Sequence, residues 1–325
     1  MRLGGLRLSF ALAALVALAA AAPAGAQFPM PQAAVGDAQT HDPSLVVRNG
    51  TPRYALFSTH NQVRYSADRT VWVRGPGPLD PVPEWTRQYG NGNYWAPDVS
   101  YHDGRYWMYY APSSVGSQHS AIGLATSLTA EPQSWTDKGL VLASREGDPY
   151  NAIDPALLVD DDGRWWLTFG SYWNGIYTIE LDPSTGKVKS GASPIHLAKP
   201  ASGSAIEGAY VFKRDGFYYL FASYGSCCPA LINPSRPTYE IRVGRSTSMT
   251  GPYVDRNGTA MTGGGSSPVL SQHAHVVGPG GQTVVHDPNT DRDLLVYHWY
   301  DSRLNYTSFL GINNLRWDGG WPVVE

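Results

Sequence analysis

One strand–turn–strand unit recurs along this chain at nearly constant spacing, and that recurrence limits the possible folds more than any other feature. Its clearest copy is DPALLVDDDGRWWLTF, residues 154–169, where an acid precedes an apolar run, an acidic turn ending in Gly163, and a second, aromatic run. Two runs of this kind around an Asp/Gly turn predict a β-hairpin. The same pattern begins at Asp42 (DPSLVVRNGTPRYALFS), Asp98 (DVSYHDGRYWMYYA) and Glu207 (EGAYVFKRDGFYYLFAS), with turns at Asn49-Gly50, Asp103-Gly104 and Asp215-Gly216. A looser fifth copy starts near Gln282 (QTVVHDPNTDRDLLVYH) and lacks both the leading acid and the glycine. A period of about 55 residues, lengthening at the fifth copy, is the mark of a repeat architecture.

The composition agrees. There are 35 Gly and 25 Pro, aromatic residues make up 12% and charged residues 16%, against about 25% charged in an average domain. Short aromatic or β-branched runs bounded by turn residues are frequent, and helical periodicity over more than ten residues is hard to find. The expected class is all-β. A sandwich needs no such period, whereas about 60 residues per unit suits a four-stranded blade with long connections, so a five-bladed β-propeller is expected.

Residues 1–26, MRLGGLRLSFALAALVALAAAAPAGA, have two arginines, an apolar run and the small-residue pattern Ala24-Gly25-Ala26. They read as a secretory signal peptide, leaving 27–325 as one propeller domain and no membrane attachment once it is removed. The formal net charge is −3 and becomes more negative without Arg2 and Arg7, so nucleic acid is not an expected partner.

In a propeller the first strand of each blade lies nearest the axis, so Asp42, Asp98, Asp154 and Glu207, leading four copies, are expected to face one cavity from the starts of innermost strands. A single Asp near a strand end is usually a turn residue. Four at corresponding places suggest carboxylates that shift one another's pKa values, as acid and base catalysis on a glycoside requires. Tyr94, Trp95, Tyr172, Trp173 and Tyr177 lie close to these acids in the sequence and suit a sugar face, while Trp107, Trp166 and Tyr219 in the second strands are expected in the core.

Taken in order, HDPSLV, YWAPDVSYHDGRYWMYY, SAIGLATS, NAIDPALLVDDDG, GSYWNGIYTIELDP, AIEGAYVFKRDGFYYLFAS, and SCC followed by YEIRVGRS resemble the arabinanases of glycoside hydrolase family 43. The resemblance runs from Asp42 to about Arg245 and more weakly to Trp317. It implies a five-bladed propeller that hydrolyses α-1,5-linked arabinan or arabino-oligosaccharides with inversion. It also implies Asp42 as general base, Glu207 as general acid and Asp154 as the carboxylate that tunes and orients the acid, and it leaves Asp98 out. Trp95, Gly116, Asn151, Ala152, Ile153, Ser171, Tyr172 and Trp173 would line the sugar subsites. Two alternatives stand beside this reading: an exo-acting arabinofuranosidase or β-xylosidase on the same scaffold, and a carbohydrate-binding propeller without catalysis. A monomer is expected.

The only cysteines are the adjacent Cys227 and Cys228. Neighbouring Cα atoms are about 3.8 Å apart, below the usual disulfide range of about 4.4–6.8 Å, so a bridge would be strained, and free thiols or an intermolecular bridge are alternatives. The resemblance favours the bridge. There is no zinc spacing. Some members of the family hold a central ion, usually calcium, with a histidine directly after Gly-Pro-Gly, where this chain has Gly281-Gln282 after Gly278-Pro279-Gly280; the resemblance offers His298 in VYHWYD instead, which matches a histidine that other members use. No cofactor is expected in the chemistry itself. Two further departures are Gly208-Ala209 after the acid, where Ala-Pro is expected, and a longer loop after Cys228.

Overall fold

The computed structural model describes residues 1, 28–48, 50–90, 92–201, 204–228 and 236–325. The signal-peptide segment lies, apart from Met1, outside the described residues, as do Asn49 of one expected turn and most of the loop after Cys228.

Five antiparallel sheets follow one another along the chain. Blade I is built from Ser44–Val47, Tyr54–Ser58, Gln62–Ser66 and Val71–Gly75. Blade II has Tyr94–His102, Arg105–Pro112, Ser120–Ser127 and Thr136–Ser144. In blade III, Ala156–Val159, Trp165–Phe169 and Ile176–Asp182 are followed by two short pieces, Lys187–Val188 and Ile195–Ala198, that both pair with the third strand. Blade IV has Ile206–Arg214, Phe217–Tyr224, Glu240–Ser246 and Ser267–Leu270. Blade V has Val276–Asp287, Arg292–Asp301, Thr307–Asp318 and Trp321–Val324. The five-bladed all-β propeller expected from the repeat is the observed fold. The hairpin turns form as their residues dictate: Asp103 and Gly104, like Asp215 and Gly216, all have positive φ, as a two-residue primed turn requires.

Burial explains why the blades form a ring. Five apolar clusters occupy the five interfaces between neighbouring blades, and each draws side chains from both sides. Trp107 and Trp165 meet edge to face between blades II and III, Trp166 lies between III and IV, and Tyr219 lies between IV and V. Leu45, Leu56 and Trp72 of blade I pack on Leu294, Leu310 and Ile312 of blade V, closing the circle. The N-terminal segment reinforces that seam: Gln32 N–H donates to Ile312 O, Leu310 N–H donates to Ala38 O, and Val35–Gly36 adds a parallel strand to the outer edge of blade I.

One irregularity is repeated in every blade, and it decides what faces the axis. In blades II, IV and V the innermost strand places two residues opposite one partner: Ala96-Pro97, Gly208-Ala209 and Gly281-Gln282. Blades I and III do the same with Asp42-Pro43 and Asp154-Pro155. Beyond the pairs Ser44↔Phe57 and Ala156↔Thr168, pairing resumes with Thr59 N–H donating to His41 O and Gly170 N–H to Ile153 O. The first residue of each bulge is left-handed, with φ of 48° at Asp42, 35° at Ala96, 55° at Asp154, 58° at Gly208 and 57° at Gly281. Such bulges re-aim side chains.

This register corrects the expectation that four acids lead their strands at one level. Asp42 and Asp154 do correspond, each opening a bulge. Glu207 stands one residue before its bulge, level with His41, Trp95 and Ile153. Asp98 stands after its bulge, in the middle of Tyr94–His102. The fifth innermost strand also begins earlier than expected, at Val276 rather than near Gln282.

Candidate active site

Asp42, Asp98 and Asp154 line one small axial cavity with the bulge residues of all five blades. Glu207 joins them through its neighbour, because Gly208 N–H donates to Asp154 Oδ2 at 2.9 Å.

Asp42 is held in place by strong hydrogen bonds. His41 Nδ1 and Thr59 Oγ1 each lie 2.6 Å from its Oδ2, and its backbone N–H donates to His298 Nδ1 at 3.1 Å. Burial opposes its ionisation, but His41 beside it more than offsets that and holds the carboxyl well below the usual range. Both bonds fall on Oδ2, so Oδ1 keeps acceptor capacity. Gly281 lies against that oxygen: a Cβ there would come 2.3 Å from Oδ1 and 2.8 Å from His298 Nδ1. A side chain at position 281 would collide with both, so the close approach of Asp42 and His298 requires glycine there.

Glu207 has the opposite electrostatics. Ser171 Oγ donates to its Oε2 at 2.6 Å and Tyr239 O–H to its Oε1. These bonds favour the carboxylate, yet burial first, and then the charge of Asp42, raise its pKa. Asp154 is pushed up as well, by burial and then by the charges of Glu207 and Asp42. Asp154 and Glu207 are therefore both biased towards the protonated form, with linked titrations, while Asp42 is biased towards the ionised one. The ionised neighbour that keeps Glu207 protonated is Asp42, whereas Asp154 was the expected one. An ionised carboxylate facing a protonated one is the division of labour that acid–base hydrolysis of a glycoside uses.

Asp98, though it lines the same cavity, is committed to holding blades together. Its Oδ2 accepts Leu157 N–H at 2.7 Å from blade III, and Ser44 Oγ of blade I lies 3.4 Å from Oδ1. Burial pushes its carboxyl up to about 7.

The residues expected to contact sugar separate by exposure. Tyr172 and Trp173 are exposed, 43% and 48%, and follow Ser171, which is buried against Glu207. Trp95 is half-buried at the level of Glu207, and Gly116 is exposed in the loop before Ser120–Ser127. Asn151, Ala152 and Ile153 are buried; Ser144 Oγ contacts both Asn151 Oδ1 and Ala152 N–H, so these three shape the wall beside Asp154. Tyr94 and Tyr177 belong to the core, contrary to expectation. The phenol of Tyr94 bonds Thr86, and Tyr177 packs between Tyr150 and His196.

His41, Thr59, Tyr239 and Tyr300 were not singled out from the sequence. His41 is adjacent to Asp42, and Tyr300 shares a strand face with His298 two residues away, but nothing local says that these side chains converge. Cys227 and Cys228 are joined to each other, and Cys228 Sγ lies 3.7 Å from His41 Nε2. His298 is fully buried, held down to about 4 by burial and then by His41. It is thus neutral near pH 7, its Nδ1 accepting the Asp42 amide, while its Nε2 has no hydrogen-bond partner. With Nδ1 accepting, the hydrogen of the neutral ring sits on Nε2, so this nitrogen offers a cation no lone pair unless the hydrogen moves to Nδ1 and the bond from the Asp42 amide is given up. Calcium prefers about six to eight oxygen ligands, so an ion there would take most of its ligands from water.

The profile of the glycosyl hydrolases family 43 matches residues 32–322. Arabinan endo-1,5-alpha-L-arabinosidase A of Aspergillus niger is 43% identical over 305 residues, covering 90% of this chain and 93% of that protein. Among solved structures, the GH43 endo-arabinanase from Bacillus licheniformis superposes with a TM-score of 0.81 at 40% identity, covering 90% of this chain and 99% of that one. An exo-1,5-alpha-L-arabinanase from a bovine ruminal metagenomic library superposes at 0.82 with 35% identity and the same coverage.

Proposed function

The chain belongs to glycosyl hydrolases family 43, and from that premise we propose that it is an endo-1,5-alpha-L-arabinanase that hydrolyses internal α-1,5-L-arabinofuranosidic bonds with inversion. The observation that carries this reading is the contrasting surroundings of the carboxyls at one axial site: His41 and Thr59 bond Asp42 and bias it towards the ionised form, while burial and the charge of Asp42 bias Glu207, and Asp154 with it, towards the protonated one. Asp42 takes the proton of the attacking water through Oδ1. Glu207 gives its proton to the departing glycosidic oxygen, and Asp154 keeps the pair protonated and anchors Gly208 beside it. Trp95, Tyr172 and Trp173 present aromatic surface to the sugar rings, with Gly116 leaving the opposite bank open.

Hydrolysis of debranched arabinan, with products followed over time, tests the reading. Internal cleavage gives a falling ladder of oligomers. Release of one short product from the start would favour exo action, a second reading supported by the likeness to the exo-acting ruminal enzyme. No release of sugar would leave a binding propeller.

The same reading includes export directed by residues 1–26 and action as a monomer. It also includes one structural calcium near the axis, which would require His298 to move its ring hydrogen to Nδ1 before Nε2 could hold the ion. The ion would add positive charge beside Asp42; the bond cleavage itself is assigned to the carboxyls.

A further inference from the structure

The general base does not end at its own hydrogen bonds. His41, which donates to Asp42 Oδ2, is itself held by three groups. Its ring stacks on His298 with centroids 3.8 Å apart, Tyr300 Oη lies 2.7 Å from Nε2, and Cys228 Sγ touches the same nitrogen edge. Tyr300 in turn accepts the backbone N–H of Cys228 at 3.0 Å.

The direction of this chain follows from its far end. A backbone N–H can only donate, so the Cys228 amide occupies a lone pair of Tyr300 and inclines the phenolic O–H to donate to His41 Nε2. The remaining hydrogen of a neutral imidazole must then sit on Nδ1, facing Asp42. A charged imidazole carries hydrogen on both nitrogens, so Nε2 then donates to Tyr300 instead, and the bond from Nδ1–H to Asp42 is common to both forms. Cys228 presents its amide from a left-handed backbone, φ 59°, a conformation uncommon for a residue with a side chain. The bond to the adjacent Cys227 closes a small ring around that peptide.

The geometry points to Tyr300 and the Cys227–Cys228 pair as positioning residues for catalysis: the paired cysteines aim the Cys228 amide at Tyr300, Tyr300 fixes the His41 ring and its tautomer, and His41 holds Asp42 with Oδ1 free for water. Outer groups that orient an imidazole commonly matter about 10–100-fold at metal sites, and a base carboxylate that must meet water in line has similar demands. Reduction would release the amide. One thiol of a dithiol attacks one sulfur and expels the other cysteine as a thiol; its second thiol then displaces the attacked sulfur from the mixed disulfide, so the dithiol becomes a cyclic disulfide and the protein gains two electrons and two protons as two thiols. The enzyme would then be slower under reducing conditions without losing substrate affinity.

This inference rests on Asp42 acting as the base. Its test is a cycle of four proteins, wild type, Tyr300→Phe, Cys227→Ser/Cys228→Ser and the triple variant, assayed on debranched arabinan, with wild type also assayed before and after dithiothreitol. Reduced wild type, Tyr300→Phe and the double cysteine variant should each lose about tenfold in kcat with KM within about twofold. The triple variant should be little worse than Tyr300→Phe, because the two changes break one chain. Nitrogen-15 spectra of histidine-labelled protein, recorded at alkaline pH where the His41 ring is neutral and with His41 assigned by His41→Gln, should show one Nδ1–H tautomer in the oxidised wild type and a mixture in the variants. The reduced wild type needs no substitution, so the test survives a variant that fails to fold. Unchanged kcat after confirmed reduction, additive losses, or an unchanged His41 tautomer would overturn the inference. Asp42→Ala separates the two levels: if it stays active, the base assignment fails, and if it is inactive while reduction has no effect, only the positioning chain fails.

Discussion

The backbone N–H of Gly208 donates to Oδ2 of Asp154 across 2.9 Å, tying the acid of the third blade to the residue that follows Glu207. Asp154 therefore acts on Glu207 in two ways, through the backbone and as the carboxyl whose titration is linked to it. Asp154→Asn keeps an acceptor for the Gly208 amide and removes that carboxyl, leaving burial and the charge of Asp42 to raise Glu207. The last proton of the linked pair then leaves more readily, so the alkaline limb of the kcat/KM profile should move to lower pH. A pH–rate profile of the variant measures this; an unmoved limb would show that Asp154 serves position alone.

Asp98 should reveal itself in stability. Its carboxyl is pushed up to about 7 by burial, against roughly 3.9 in an unfolded chain. Between those values the folded state binds more protons, so the stability Asp98 contributes is fully present below about pH 4 and is lost as pH rises towards 7. Urea unfolding between pH 4.5 and 7.5 should show a smaller fall in stability for Asp98→Asn than for wild type. Asp98→Ala leaves the Leu157 amide buried without its partner and should cost about 1–3 kcal/mol. An equal pH slope in wild type and Asp98→Asn would refute this assignment.

Acid and base should separate by leaving group. Asp42→Ala and Glu207→Ala should each lower hydrolysis of arabinan by about 100-fold or more. An aryl arabinoside with a good leaving group needs little proton donation, so on such a substrate, where it is accepted, Glu207→Ala should keep a larger share of activity than Asp42→Ala. Parallel losses on both substrates would contradict the assigned roles.

Blade number and strand order were legible in the sequence because they depend on local signals: Asp-Gly turns that need two positive φ values, and second strands rich in aromatics that must be buried between blades. The level of each acid was not. A bulge inserts one residue into a two-residue alternation, so everything beyond it changes face, and Asp42, Asp98 and Glu207 came to occupy three different places in the repeat. The sequence spacing of 42, 98, 154 and 207 hid this. Tyr239 and Tyr300 escaped notice for another reason: they reach Glu207 and His41 from positions more than thirty and two hundred residues away, respectively, and no local pattern marks a tyrosine as anything but core. The departures at Gly208 and Gly281 were visible as differences, but their meaning required the third dimension, one as the left-handed donor to Asp154 and the other as the space that Asp42 and His298 occupy.

The most direct test of the central claim is the configuration of the first sugar released. With Asp42 activating water on the face opposite the leaving group and Glu207 protonating that group, hydrolysis of an α-1,5-arabino-oligosaccharide proceeds by single displacement. Proton NMR of the reducing end in the first minutes, before mutarotation, should show the β anomer forming first and the α anomer appearing only later. If the α anomer forms first, the mechanism is retaining, and the roles given to Asp42 and Glu207 are wrong.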